Sequence, residues 1–479
     1  MAREKVFIVG FLVFLVLVGL VVLVMYGGGV FSRGGGGEDV FYVGITYCGS
    51  SVEEAKEFVD RVKNYTNLFV LFSGVLQYDV LAMEEIGDYV VSSGLSYAVC
   101  GGTRNDVCSN VWLLGAKERW GDRFVGIYYN DEVGGYMLDK MVFLEVSYQI
   151  EGSSVLMPGV VKTDEGAIIL YEYVESKEGV PSLLSSVTYW PDGKIVMEKL
   201  GETVTYYADG VITVLENKNG NFYTTMSNIT KYSKPIQAYD QVLEQNPIQT
   251  YDDAAMAYVK MNNALIDEIN KAELEQEQVL VFTAEYGLYW WDYKSGYDLV
   301  LAELAWNHSD IQEIALVRGA AKLQNKQWGT MITWKYTHPP YLTDGWEMFE
   351  QMKMSYEAGA QYVMIFNYSE DPANPNTLQE EHFVALERFW REVVQNPEVK
   401  HGGIKAEVAL VLPQNYGWGM RSSQDNIWGI WHADNTTQEI WDQLQNKIEQ
   451  YGLKLDIVFE DPKHPVAGKY PSIYYWNQR

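Results

Sequence analysis

The chain has 479 residues, 47% of them apolar, which is more than one ordinary domain needs and enough to bury sizeable cores. That excludes a disordered polymer. Its 64 acidic against 36 basic residues give a formal net charge of −28, which repels phosphate backbones and excludes nucleic acid as a partner.

The first element is an unbroken run of apolar residues and glycine, Val6 to Met25. At 1.5 Å per residue, some twenty residues cross a hydrocarbon core of ~30 Å, so a transmembrane anchor over residues 1–26 is expected. Arg3 and Lys5 precede the run, which places the N-terminus in the cytoplasm and the main domain outside the cell membrane. The run is longer than a signal-peptide core and no A-x-A-like site follows it, so an uncleaved anchor is expected. Gly27–Gly29 and Gly34–Gly37 make residues 27–38 a Gly-rich tether.

Eight short apolar runs then alternate with helix-like stretches. Four are Val40–Cys48, Asn67–Gly74, Leu95–Gly102 and Phe124–Glu132; the others are Val279–Tyr286, Tyr297–Trp306, Trp328–Tyr336 and Gln361–Glu370. Strand–helix units at about 25–30 residues each predict right-handed βα crossovers, and eight of them predict an α/β fold, a closed (β/α)8 TIM barrel over residues 39–400. After the fourth strand the rhythm breaks, and a β-rich insertion is expected over about residues 145–235. Its hairpin signals are Pro191–Asp192–Gly193 and Ala208–Asp209–Gly210. A long amphipathic helix, Asp252–Glu275, would return the chain to the barrel. Residues 405–479 read as a small α/β domain: AEVALVLP and LKLDIVFE as strands, Thr436–Tyr451 as a helix stopped by Gly452, and SIYYWN as a third strand.

Side chains at the C-terminal strand ends of such a barrel face its site. Asp131 and Glu132 end strand four, Glu285 ends strand five, Glu303 lies in strand six, and Asn367, Glu370 and Asp371 follow strand eight. Period-2 alternation puts Leu301, Glu303 and Ala305 on one strand face, so Glu303 is expected in the upper layer of the barrel. Two glycines after Glu132 would let the chain turn tightly and leave the carboxylates accessible. Converging carboxyls suit glycoside hydrolysis, where one protonates the leaving oxygen and another is nucleophile or base. The aromatic residues Trp290, Trp291, Trp306, Trp334 and Tyr336, with His338, Asn367 and Glu370, are the candidate substrate-binding groups, because flat rings stack on the C–H faces of sugars.

Six histidines are scattered without metal-ligand spacing, and no phosphate-cradling loop, dinucleotide fingerprint or nucleophile elbow is present, so neither metal nor cofactor is expected. Cys100 and Cys108 flank a short loop and are a candidate disulfide; Cys48 would be left as a buried, inert thiol. Sequons at Asn64, Asn228, Asn307, Asn367 and Asn435 agree with an external location and mark candidate glycosylation sites.

With acids at its strand ends, Asp131–Glu132 after strand four and an appended small α/β domain, the chain resembles the (β/α)8-barrel glycoside hydrolases, loosely the multidomain β-galactosidases. The resemblance is architectural and carries no short family signature. It implies an acid/base at the end of strand four, matched here by Glu132, and a nucleophilic glutamate at the end of strand seven. Strand seven here reads WGTMITWKY and has no acid, so Glu285 or Glu303 would take that role and Asp131 would orient the pair. The alternative is a non-catalytic cell-surface structural or assembly protein, a filament or surface-layer subunit with oligomeric partners, built on an inactive barrel.

Overall fold

The computed structural model describes residues 41–101, 110–139, 155–162, 168–175, 181–190, 194–199, 202–206, 212–218, 221–227, 250–270, 279–369 and 376–478. The apolar run 6–25, the tether, Cys108, Asn228, Glu370 and Asp371 lie outside them. Among the described residues no helix is long and apolar enough to cross a membrane.

Eight parallel strands close a barrel: β1 (Tyr42–Tyr47), β2 (Leu68–Leu71), β3 (Ser96–Gly101), β4 (Phe124–Tyr129), β12 (Leu280–Glu285), β13 (Leu299–Leu304), β14 (Gln327–Ile332) and β15 (Tyr362–Ile365). These are the eight runs expected from the sequence, each trimmed at its ends. Helices α1 (Val52–Val62), α2 (Val80–Ser92), α3 (Asn110–Trp120), the short α4 (Val133–Leu138), α5 (Tyr251–Asn270), α6 (Tyr289–Ser295), α7 (Asp310–Gln324), α8 (Gly345–Ala358) and α9 (Glu380–Phe389) connect them. Their starts are set locally. Ser51, Asp79, Ser309 and Asp344 each accept a hydrogen bond from an otherwise unpaired first-turn amide of α1, α2, α7 and α8.

The barrel has two cores. Leu68, Val70, Tyr128, Phe282, Leu301, Met331 and Met364 fill its interior, while a larger set joins the outer strand faces to the helices. Strand order runs β1-β15-β14-β13-β12-β4-β3-β2, so β4 pairs directly with β12 although the insertion separates them in sequence. At that seam a Cβ on Gly126 would stand 2.1 Å from the Leu280 carbonyl oxygen, an approach only glycine permits.

The insertion is a seven-stranded antiparallel meander, β5 (Val155–Lys162), β6 (Ile168–Glu175), β7 (Pro181–Tyr189), β8 (Ile195–Lys199), β9 (Glu202–Tyr206), β10 (Ile212–Lys218) and β11 (Asn221–Ser227), paired in sequence order. The expected hairpins fall between β7 and β8 and between β9 and β10. Only β5 escaped the sequence pattern. It carries Pro158 at a register irregularity between Leu156 and Gly159, and as the edge strand it tolerates the lost amide.

The C-terminal piece is a three-stranded parallel sheet, β16 (Val408–Leu412) between β17 (Leu455–Phe459) and β18 (Ser472–Tyr475), with α10 (Asn435–Tyr451) as its crossover. Asp434 caps α10. The sheet is bound to α7 through Arg318, whose guanidinium meets Asp456 at 2.7 Å and donates to the carbonyls of Leu453 (2.6 Å) and Leu455 (3.0 Å). Asp456 is fully buried and also accepts from Tyr470 Oη at 2.8 Å.

Candidate carboxylate site at the barrel mouth

The turn after β4 departs from ordinary backbone. Asn130 and Glu132 have φ of 53° and 51°, a left-handed conformation that is rare for a side chain as large as glutamate. Neighbouring groups hold it. Thr283 Oγ1 donates to the Asn130 carbonyl, Glu132 N donates to Ala284 O at 3.2 Å, and Tyr128 Oη donates to Asp131 Oδ1. Strain of this kind persists only where its surroundings over-determine it.

Glu285 is the main clamp. It is fully buried, and its carboxylate accepts from the amides of Gly134, Gly135 (2.8 Å) and Tyr286 (2.8 Å). The two glycines therefore do more than loosen a turn. They begin α4, and a Cβ on Gly134 would sit 2.8 Å from Glu285 Oε2 while one on Gly135 would sit 2.1 Å from the Tyr286 ring. Glu285 does not line the cavity, so its place is behind Glu132 and not at a reacting atom.

A cavity of about 480 Å³ opens at the C-terminal ends of the strands. Asp131, Glu132, Glu303, Gln77 and Thr333 supply its polar lining, and Phe72, Trp306, Trp334, Phe366 and Tyr368 its aromatic walls. Glu303 pairs in register with Met331, a member of the interior core, so it rises from the barrel's upper layer, and it is only 2% exposed. Its carboxyl faces that of half-buried Glu132 closely enough for the two to share a proton, and its Oε2 has no further hydrogen-bond partner among the described residues.

Burial dominates the electrostatics here. It raises Asp131 to about 6 despite the Tyr128 hydrogen bond. Burial together with the charge of Asp131 raises Glu132 to about 7. Glu303 is driven well above the usual carboxylate range by burial first and by Glu132 and Asp131 second. Two carboxyls in contact titrate as a pair, and near neutral pH this pair keeps one proton between them.

The aromatic walls are partly open. Trp306 is 36% and Tyr368 38% exposed, and Trp306 is another left-handed residue with φ of 52°. Trp334 lies parallel to Tyr368 with centroids 5.9 Å apart, and its Nε1 donates to the Tyr368 carbonyl at 2.8 Å.

Several residues singled out in the sequence are placed elsewhere. Trp290 and Trp291 are buried beneath the C-terminal sheet, with Trp291 against Trp428 (4.7 Å) and Phe459 (4.6 Å). Short helix α6 carries both, so following a strand end in sequence did not bring them to the mouth. Tyr336 and His338 stand exposed on the loop after β14, outside the cavity lining. Asn367 is fully buried; its amide nitrogen donates to Asn376 Oδ1, and its Oδ1 accepts from the amides of Thr377 and Leu378. That asparagine braces a loop and in this fold is inaccessible for glycosylation, whereas Asn64, Asn307 and Asn435 are exposed. Cys48 lines the cavity instead of lying inert in a core, although burial holds its thiol up at about 12 and therefore protonated. Cys100 also lines the cavity, and the pairing expected for it falls on Cys108, outside the described residues.

Phe72, Gln77, Thr333, Phe366 and Tyr368 were missed. The signal was available for Phe72, Thr333, Phe366 and Tyr368, which lie just beyond the C-terminal ends of their strands, whereas Gln77 sits farther along the loop after β2; apolar, hydroxyl and amide residues there carry no chemical mark in one sequence. No group of His, Cys, Asp and Glu among the described residues is arranged to hold a metal ion. Compared with known proteins, the chain matches no family model and no curated sequence.

Proposed function

We propose that this chain is a membrane-anchored glycosidase whose barrel faces outward and acts on polysaccharide. The observation that carries the reading is the Glu132–Glu303 pair, two neighbouring carboxyls, one after β4 and one in β13 with β12 between them, inside an aromatic-walled cavity. No described lysine or arginine pairs with Asp131, Glu132 or Glu303, and Glu303 lacks the backbone amides that occupy Glu285.

Glu132 is the reachable member and Glu303 lies deeper. In the reading proposed, the glycosidic oxygen approaches Glu132 and takes the shared proton as the bond to the anomeric carbon breaks. Glu303, left ionised, bonds to that carbon. Glu132 then removes a proton from the water that displaces Glu303. Retaining sites hold their carboxyls roughly 5–5.5 Å apart and inverting sites roughly 6.5–9.5 Å; a pair this close has only to part slightly to admit the anomeric carbon in the first geometry, so retention of configuration is expected. Asp131, tethered by Tyr128, disfavours loss of the shared proton through its charge.

The test is a panel of polysaccharides offered to the full-length chain in detergent, with Glu132→Gln beside it. Hydrolysis by the wild type, reduced about 10²–10⁴-fold in the variant while binding is kept, supports the reading. Binding without hydrolysis by either protein removes the enzyme and leaves a surface-binding barrel.

A further inference from the structure

A neutral sugar presents hydroxyl donors that one or two carboxylates satisfy, yet three carboxyls converge on this cavity, and none of the described residues lining it is basic. Nearby cations are committed elsewhere: Arg421 to Asp139 and Asp425, Lys335 to Glu347. The most demanding atom is Glu303 Oε2, a buried oxygen without a hydrogen-bond partner among the described residues, on a side chain that lines the cavity. Leaving a buried carboxylate oxygen unsatisfied is costly, so a ligand donor arriving there gains more than it would at a solvated group. Phe72, Trp306, Trp334, Phe366 and Tyr368 surround the acids, and their π faces attract cations as readily as sugar C–H surfaces.

Resting on the glycosidase reading above, we infer that the sugar held against Glu303 carries a free amino group, as in a 2-amino-2-deoxy sugar without its acetyl. In a displacement by carboxylate, one oxygen of the nucleophile lies under the anomeric carbon and the other faces the substituent on the neighbouring carbon. Here that second oxygen is Glu303 Oε2. An ammonium at the neighbouring carbon donates to it, offsets the crowding of Asp131, Glu132 and Glu303, and rests beside the aromatic walls. An N-acetyl group would turn a carbonyl acceptor toward the same carboxylates, and a hydroxyl would supply a donor without the charge.

Three trisaccharides that differ only at that carbon separate these cases: a glucosamine trimer, its N-acetylated counterpart and cellotriose. They are titrated calorimetrically into the full-length chain in detergent at about pH 7, where the amine is still largely charged and Asp131 is ionised. The glucosamine trimer is expected to bind about tenfold more tightly than cellotriose, with an advantage that shrinks as salt is raised and is lost in Glu303→Gln. The wild-type comparison decides by itself if that variant fails to fold. Equal affinity for the three, or preference for the acetylated or neutral trimer, overturns the amino-sugar inference and leaves the glycosidase reading standing. Absence of binding by all three overturns the inference, and the polysaccharide panel then decides the glycosidase reading separately.

Discussion

At the scale of single residues, the site depends on one turn. Glu132 is left-handed and partly buried, and its proton is retained up to about pH 7 by burial and by Asp131. The reaction proposed needs one proton shared by the pair, and Glu303, raised further than Glu132, keeps that proton after the first has left. The expected profile of kcat/KM therefore rises through about pH 7 as the doubly protonated pair loses its first proton and declines only at higher pH, and a profile that falls from pH 7 upward would count against the shared proton as the one transferred. Gly135 tests the support behind the turn. In Gly135→Ala the new methyl meets the Tyr286 ring, which also donates to Asp139 at 2.8 Å, so the ring or α4 must shift. A loss of about 1–3 kcal/mol in denaturant unfolding is expected, with a fall in kcat larger than any rise in KM. The carboxyl cluster was legible in the sequence because acids at strand ends are conspicuous. The division of labour was not: Glu285 and Glu303 look alike as letters, and only packing shows that one takes three backbone amides while the other faces the cavity.

At the scale of elements, barrel strands and helices were readable because hydrophobic runs, caps and glycine stops agree locally, as at Asp434 and Gly452 around α10. What those signals omit is which elements lean on each other. The C-terminal sheet packs its strand β17 along α7, and a Cβ on Gly319 of that helix would come within 2.6 Å of the Ile457 carbonyl. Loop residues Met420, Arg421 and Trp428 then reach back to Gln312, Asp139 and Trp291. Arg318→Ala would strand the buried carboxylate of Asp456 with Tyr470 as its remaining partner. A loss of about 3–5 kcal/mol is expected in chemical denaturation, with the barrel and the C-terminal sheet unfolding in one transition. A second transition confined to the sheet would contradict that coupling.

At the scale of the whole molecule, buried carboxyls reverse the usual trend of stability with pH. Burial raises Asp131 to about 6, Glu132 to about 7, and Asp292 and Glu313 to about 8, and it raises Glu285 and Glu303 as well. Each of these groups binds its proton more tightly folded than unfolded. The stability they lend is complete below the ordinary carboxylate range and is lost as pH rises through the folded values. Carboxylates held low by partners, such as Asp88 beside Arg119 and Asp461 beside Lys294, titrate below this window. The melting temperature is therefore expected to be several degrees higher at pH 5 than at pH 8, and the opposite slope in calorimetry would refute the assignment. The β4–β12 seam bears on how the molecule is made. The two strands are about 150 residues apart, so at a synthesis rate of about 5–20 residues per second β4 waits about 8–30 s before its partner emerges. During that interval the first four strands present an unpaired edge whose proper neighbour does not yet exist, and the meander, made before β12, is a sheet that can compete for it. Gly126, which lets β4 and β12 approach backbone to backbone, makes the late strand a closer fit to that edge than a side-chain-bearing position would allow.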